Sequence, residues 1–570
     1  MNNASLELGG TNWAEKDGNI LGYSVGDTSG NYSPQEFTFA RGSNLSATRI
    51  DRAGLIVKGR ENVLLQSNQF DTTWGASSTI TITSGQSGYD GTNDAWKIES
   101  DGSSGFNQIN QAVSHSGVNT FSVYAKAGTN TAFSLRSLSA TDARANFDLS
   151  AGSVSTSGTI DASIVSVGGD WYRCSVVFNG SNTNVYVYPN YIGAASAGFI
   201  YIQDAQLEQG LAASPYIPTT TTTAQAGVLE NTPRLNYTTG VANPYLLLEP
   251  SRTNIITNSE YLGGSDWIKS GNGTGSVPVI TSNAAISPEG VQNATRVDLD
   301  LNGGTSSGDW SWVYQNFTST GNDETFSMYI KAVDASNVGK VIAFGAVSFT
   351  AQSLTADWVR IESTSSAAVG GYGNGFRLRG TEGTSNTASF YVFGIQHEQN
   401  ASYPTSYIPT YSVSATRAQD NCSKTNASGE IGQTEGVLYA EVAALANDGT
   451  YRNIALSDGS LTNRILIQYT PNANQINIVI IFSGGQYSLN HTVSNVTEFN
   501  KIAIKYKAGD NALWINGFEV DTDTNTLLPS ALNTLSFDNT IGDAFYSKTK
   551  ALVLYKEALT DTQLATLTTI

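Results

Sequence analysis

The chain has 570 residues, with 48 Asp and Glu against 30 Lys and Arg (net charge −18) and only 14% charged residues, where about 25% is usual. That length calls for several cores, because domains of about 100–200 residues are the norm. An acidic chain without basic clusters excludes a protein that grips nucleic-acid phosphates. Ser, Thr, Asn and Gly fill the difference, and aromatics reach 10%, the look of an all-β extracellular or virion protein.

Residues 1–59 hold few apolar runs and are expected to pair with a neighbouring domain or subunit as an attachment segment. Residues 1–20 lack the apolar core of a signal peptide, and no window holds the ~20 apolar residues that span a bilayer. The chain is therefore expected to be made in a cytoplasm, without membrane insertion, and to leave by another route such as particle release on lysis. The two cysteines, Cys174 and Cys422, form no CxxC and indicate neither a disulfide framework nor a zinc ribbon.

From residue 60 the sequence repeats itself. GRENVLLQSNQFDTTW (59–74) parallels PSRTNIITNSEYLGGSDW (250–267), and TFSVYAKA (120–127) parallels TFSMYIKA (325–332). DWYRCSV (170–176) parallels DWVRIES (357–363), and QDAQLEQGLAASPYIPT (203–219) parallels FGIQHEQNASYPTSYIPT (393–410). Offsets between 187 and 205 mark tandem copies with loop insertions. In TFSVYAKA, Phe121, Val123 and Ala125 alternate with Ser122, Tyr124 and Lys126, a period of two. Short alternating runs split by turn clusters such as SGQSGYDGTND predict antiparallel jelly-roll sandwiches over 60–218 and 252–410. The connecting segment is 219–251 and the linker 411–434. The Tyr-Ile-Pro phrase is expected to end the last strand of each copy, since Pro cannot donate to a ladder. Cys174 aligns with Ile361 and is expected in the core, as are Trp74, Trp171, Trp267 and Trp358.

Residues 435–570 follow a different strand pattern. KYKAGDNALWI predicts a hairpin, LWINGFEV a second one with Asn516-Gly517 in a type I′ turn, and LTDTQLATL a helix capped by Thr560 with Gln563. The whole is expected to be all-β with little helix.

Sites are sought where the copies differ. GDWSWVYQNF (308–317) sets Trp310, Trp312 and Tyr314 on one strand face, where the first copy has Phe106, Gln108 and Asn110. Aromatic faces stack on sugar C–H faces while amides and carboxylates take hydroxyls; core filling is the competing reading. Tyr186, Tyr188 and Tyr191 form a second aromatic candidate, and Tyr372 with Arg377 a third, in a loop. Asp298 and Asp300, with Asn302 on the same face, are the candidate calcium ligands, against a merely solvated face; Asp521 and Asp523 are a weaker pair. His115, His397 and His491 stand alone, and no GxSxG, HExxH or P-loop occurs, so no catalytic residue is expected.

GTNWAEKDGNILGY with FTFARGSNLSATRIDRAGLIV resembles the opening of tailed-bacteriophage virion proteins. NTPRLNY, YLLLEPSRTNIITNSE, QLEQG with SPYIPT, and SYIPT with SATRAQD are similar to their carbohydrate-binding-module-like jelly rolls. NKIAIKYKAGDNALWINGFEV and ALVLYKEALTDTQLATLT resemble a laminin-G/concanavalin-A-like domain. In that family the GLI phrase leads soon to PRLNY, whereas here a jelly roll lies between Val57 and Val228. The resemblance implies a non-catalytic fibre, spike or head-decoration protein exposed on the virion. Its implied partners are other virion proteins, host cell-surface glycans and further copies of itself, plausibly as a trimer; structural calcium stays open as a cofactor. A purely architectural subunit and a capsule-depolymerising spike are the alternatives, because the carboxylate pair of a glycosidase is defined by spatial separation.

Overall fold

The computed structural model describes residues 4–25, 32–42, 45–103, 106–138, 142–539 and 542–570. They form antiparallel sheets, with a single short helix, Asp561–Thr568, among the described residues. The chain divides into two compact units, one of residues 58–227 and 253–415, the other of 1–57, 228–252 and 416–570.

The first unit holds the two repeated sandwiches. In the first copy, one sheet centres on Val118–Ala127, paired with Trp171–Asn179 and Ala197–Gln209, and the facing sheet on Ala132–Leu138 and Asn182–Tyr188. The alternation read from the sequence is what closes it. Phe121, Val123 and Ala125 enter a core with Phe133, Leu135, Cys174, Val185 and Val187. The second copy repeats this with Phe326, Met328, Ile361, Val313 and Phe376. Trp74 and Trp267 are buried in these cores. Trp171 is buried too, in a cluster outside the sandwich interior, and of the four expected core tryptophans Trp358 alone is placed elsewhere. Trp171 packs with Tyr89 and Tyr124 in a separate cluster, on the parity opposite Cys174. Trp358 is only half-buried and donates to the Ile286 carbonyl at 3.2 Å.

The Tyr-Ile-Pro phrase also departs from expectation. The last strands end at Gln209 and Gln399, before the phrase begins, so it terminates no strand. It is a strap that buckles each module to its own first segment. Asn62 Nδ2 donates to the Ala205 and Ile217 carbonyls, and its Oδ1 accepts from the Leu64 and Leu207 amides. Asn254 makes the same four bonds to Ile395, Ile408, Ile256 and His397. Gln206 and Gln396 accept from the Ile217 and Ile408 amides, both at 2.7 Å. Ser67 and Ser259 each lie 2.6 Å from the tyrosine hydroxyl, Tyr216 or Tyr407. Buried polar groups need such partners, and the duplication of every bond explains why the phrase recurs.

The two modules meet around Lys58, which is buried and lies 2.7 Å from Glu260 and 2.9 Å from Glu289 of the second copy. Arg60 reaches Glu208 and Glu289, and Asn283 donates to Asp161 and to the Leu211 carbonyl, both at 2.8 Å. Burial pushes the Glu260 carboxyl up.

Both long last strands carry a bulge with a left-handed residue, Gly394 in the second copy and Asp204 in the first. Only glycine adopts that backbone freely, and Asp204 is held there by Tyr89, whose hydroxyl donates to it at 2.9 Å. Asp204 is 6% exposed, and burial raises its carboxyl to about 6.

The second unit is built from segments far apart in sequence. Glu435–Ala444 pairs with Asn500–Lys507 and Ser547–Tyr555. Leu6–Gly9 and Tyr245–Leu248 add to Ser547–Tyr555, the latter strand from the stretch expected to be a connection. Opposite lie Arg452–Ser457, Arg464–Tyr469 and Gln475–Phe482. Asn421–Lys424, from the expected linker, joins Tyr32–Ala40 to Thr534–Ser536. One core runs through them, with Leu6, Phe37, Leu246, Cys422, Leu438, Ile478 and Leu552. Both hairpins stand where the sequence puts them, with positive φ at Asn516 and Gly517, and Thr560 and Gln563 form the capping box. Three arginines, Arg41, Arg234 and Arg417, are buried in this unit against Glu249 and Asp420.

Asp420→Asn leaves Arg41 and Arg234 short of a counter-charge, and breaking such a buried pair costs about 3–5 kcal/mol. Calorimetry is expected to show the transition of the second unit falling while that of the sandwich pair stays. Asp204 gives a pH signature. Its carboxyl keeps its proton to about pH 6 when folded and to about pH 4 when unfolded. The folded state thus binds more protons between those values, and stability falls as pH rises through them. Asp204→Asn is expected to match the parent melting point near pH 4 and to exceed it at pH 7.5.

Candidate functional site

The strand Trp310–Ser319 alternates between the two sides of its sheet. Val313 enters the core, so Trp310, Trp312 and Tyr314 stand on the outer side, all half-buried. Core filling is therefore set aside for these three rings. Trp312 and Tyr314 stack with centroids 3.9 Å apart and planes 22° from parallel. Trp310 donates to Ser270 Oγ at 3.4 Å.

The neighbouring strand Gly370–Arg379, expected as a loop, sets what surrounds the stack. Trp312 pairs with Arg377, Tyr314 with Gly375 and Asn316 with Gly373. The Arg377 guanidinium lies 5.0 Å from the Trp312 ring and 3.8 Å from that of Phe349. Glu382 holds it by two hydrogen bonds, one of 2.8 Å from Nε. Gly373 leaves room for the rings, since a Cβ there would come within 2.8 Å of Trp312 and 2.9 Å of Tyr314. The outer side thus carries a ladder of Tyr314, Trp312, Arg377 and Phe349, with Glu382 at its charged end. Phe349 and Glu382 were not apparent from the sequence, because neither lies near the aromatic run. The glycines at 371, 373 and 375 were a usable signal: a period-two glycine run leaves the outer side of its strand bare beside the bulky aromatic strand.

Tyr372 is not part of this ladder. It pairs across the ladder with Phe317 and shares the parity of core residue Phe376, and its hydroxyl donates to the Ala368 carbonyl. In the first copy, Tyr186 and Tyr188 also face away from the core, opposite in parity to Val185 and Val187. Tyr188 is buried, its hydroxyl accepting from Arg136, which also lies over Tyr186 and is held by Asp142. Tyr191 and Phe106 are exposed, in a turn and before a strand. The first copy therefore carries an aromatic and arginine face of its own, but on other strands.

The candidate calcium ligands are engaged within the chain. Asp298 takes Arg296 Nε and Nη2 at 2.9–3.1 Å and accepts from Ser389 Oγ, while Asp300 accepts from the Asn302 amide at 2.7 Å. Among the described residues, no three His, Cys, Asp or Glu side chains group to hold a metal ion. His397 is fully buried between Glu324, 3.0 Å from Nε2, and Asn374, 2.8 Å from Nδ1. Burial pushes the imidazole down.

No family model and no curated protein matches the chain. Among solved structures it is similar to the carbohydrate-binding module of a Ruminococcus gnavus sialidase bound to α2,3-sialyllactose, at 15% identity and a TM-score of 0.21, over 24% of this chain and 84% of that one. It is also similar to a tandem pair of modules from Paenibacillus barcinonensis Xyn10C, at 11% identity and a TM-score of 0.20, over 63% and 100%. The LG1–3 region of the laminin α2 chain matches at 11% identity and a TM-score of 0.14, over 79% and 95%.

Gly373→Ala forces the stacked rings apart. It is expected to change the near-ultraviolet circular dichroism of the Trp312–Tyr314 pair at a cost of about 1–3 kcal/mol, as overpacking does. A Gly371→Ala control, with open space around its Cβ, is expected to leave the spectrum as it is.

Proposed function

We propose that this chain is a non-catalytic structural protein of a tailed-phage particle, displayed on the virion surface, whose second jelly roll contacts host-surface glycans. The observation that carries the glycan reading is the outer ladder of Tyr314, Trp312 and Arg377 over glycine-stripped backbone. It offers aromatic edges and faces for sugar C–H groups beside a guanidinium and a carboxylate for hydroxyls. The phage assignment rests on the sequence phrases quoted above. A single sugar site of this kind is weak, and several copies on an oligomer such as a trimer would raise the avidity through effective concentration.

An architectural role, with the modules packed on other virion proteins, is favoured by different residues. Two edge strands expose apolar side chains, Val165 and Val167 in Asp161–Gly168, and Val279 and Ile286 in Val279–Ile286. Exposed apolar edges invite a partner.

On a glycan array the full chain is expected to retain host polysaccharide and Trp312→Ala to lose at least tenfold, with unchanged far-ultraviolet circular dichroism. Retention by neither protein, with a native mass showing a closed oligomer and labelling dense over the particle, would favour the architectural role. Incubation with the polysaccharide is expected to release no reducing ends; their release would point to the depolymerase instead.

A further inference from the structure

A cleft in the second unit carries a set of side chains that nothing above uses. It encloses about 490 Å³ and is lined by Glu7, Thr11, Asn12, Trp13 and Tyr23, within the roughly 300–1,000 Å³ of small-molecule sites. Glu7 and Tyr23 face each other across the paired strands Leu6–Gly9 and Asn19–Val25. The turn between Leu6–Gly9 and Ala14–Lys16 brings Thr11, Asn12 and Trp13 over them.

The tryptophan is fixed rather than loose. Its Nε1 donates to the Pro244 carbonyl at 3.0 Å. Its six-membered ring lies against Gly9, where a Cβ would come within 2.5 Å of Cζ2. Gly9 has φ 81°, so glycine answers both the backbone and the ring. A plate held in this way loses little freedom when something stacks on it. The polar groups around it are unengaged. Among the described residues, the Glu7 carboxylate, Thr11 hydroxyl, Asn12 amide and Tyr23 hydroxyl have no hydrogen-bond or ion-pair partner in the chain.

We infer that this cleft is a second ligand site, for a neutral sugar residue. The indole takes the C–H face, and Glu7, Asn12, Thr11 and Tyr23 exchange hydrogen bonds with the hydroxyls. Charge selects the class. Among the described residues Glu7 is the one charged side chain of the lining, its field already pushes the Tyr555 phenol up alongside burial, and the chain as a whole is at −18. Uronic and sialic acids are therefore disfavoured, as like charges are at any unscreened site. The site shares no residue with the Trp312 ladder and does not depend on it.

The test uses the full chain and saturation-transfer difference NMR, with neutral trisaccharides of glucose, galactose and mannose and a glucuronate-terminated trisaccharide as the acidic probe. At least one neutral probe is expected to respond more strongly than the acidic one. With the ladder's own contribution removed by Trp312→Ala, the neutral response is expected to persist; in that background Trp13→Ala is expected to weaken it at least tenfold, and Glu7→Gln to weaken it and narrow the discrimination against the acid. Glu7→Gln keeps side-chain volume and decides the matter if Trp13→Ala does not fold. Silence from every neutral probe, or a response indifferent to Glu7→Gln, overturns the inference. A response lost only in Trp312→Ala overturns it too, while leaving the ladder reading intact.

Discussion

The second unit depends on five buried charges. Arg41, Arg234 and Arg417 are wholly buried against Glu249 and Asp420, which are at most 4% exposed. Asp420 bonds both Arg41 and Arg234 and also accepts from the Glu249 amide, while Glu249 bonds Arg234 and Arg417. Three cations over two anions is an unbalanced set, and burial lowers the Arg41 guanidinium to about 10. Such a group is poor as a source of stability and strong as a specifier, because no other arrangement satisfies it. It ties together the stretch before the first jelly roll, the stretch between the two, and the stretch after the second. The five side chains stand in the phrases RGSN, PRLNY, LLLEPSR and SATRAQD, so charge pairing inside the fold holds each of these phrases in place.

Within the sandwich pair the same logic works by hydrogen bonds. Asn62 and Asn254 each satisfy four backbone groups, and the straps around Tyr216 and Tyr407 share their asparagine, glutamine and serine bonds. With the frame fixed twice, divergence is confined to what the frame does not need. Leu207 in one core becomes His397 in the other, paired with Glu324 where the first copy has Asn119. Phe106, Gln108 and Asn110 give way to Trp310, Trp312 and Tyr314. The outer sheet faces have moved apart in chemistry while the buckles have stayed the same, as expected if the faces meet different things.

Much of this was legible in the sequence. Period-two alternation fixed the sandwich cores, the internal repeat marked the copies, and Asn516-Gly517 and Thr560 with Gln563 marked a turn and a cap. These are signals in which the partner is within a few residues or in the same strand. What escaped has partners far away. The strap looked like a strand end because Pro218 and Pro409 remove a donor, and only the fold shows that Asn62 and Asn254 lie beneath. The connecting segments looked like linkers because Tyr245–Leu248 and Asn421–Lys424 are too short to show a period, and the strands they extend, Ser547–Tyr555 for the first and Tyr32–Ala40 and Thr534–Ser536 for the second, lie more than a hundred residues away. Trp358 failed the analogy with Trp74 because repetition shows that a residue has a role in the frame, not that the role is burial. Arg377 was visible, but its place over Phe349 needed three strands to be brought side by side.

The interleaving of the two units has a consequence for how the chain comes off the ribosome. Each jelly roll is complete once its strap has been made, at about residues 219 and 410. The opening strands are not: Leu6–Gly9 waits for Ser547–Tyr555, and Arg41 waits 379 positions for Asp420. During that interval the first-made apolar strands have open edges and unpaired charges, the condition that favours sticking to other nascent chains. Early closure of the two inserted bodies shortens the effective loop across which the late partners must search, since a folded insert brings its ends together at a cost that grows only slowly with length. The inserts thereby act as scaffolds for the assembly of the unit whose segments flank them in sequence.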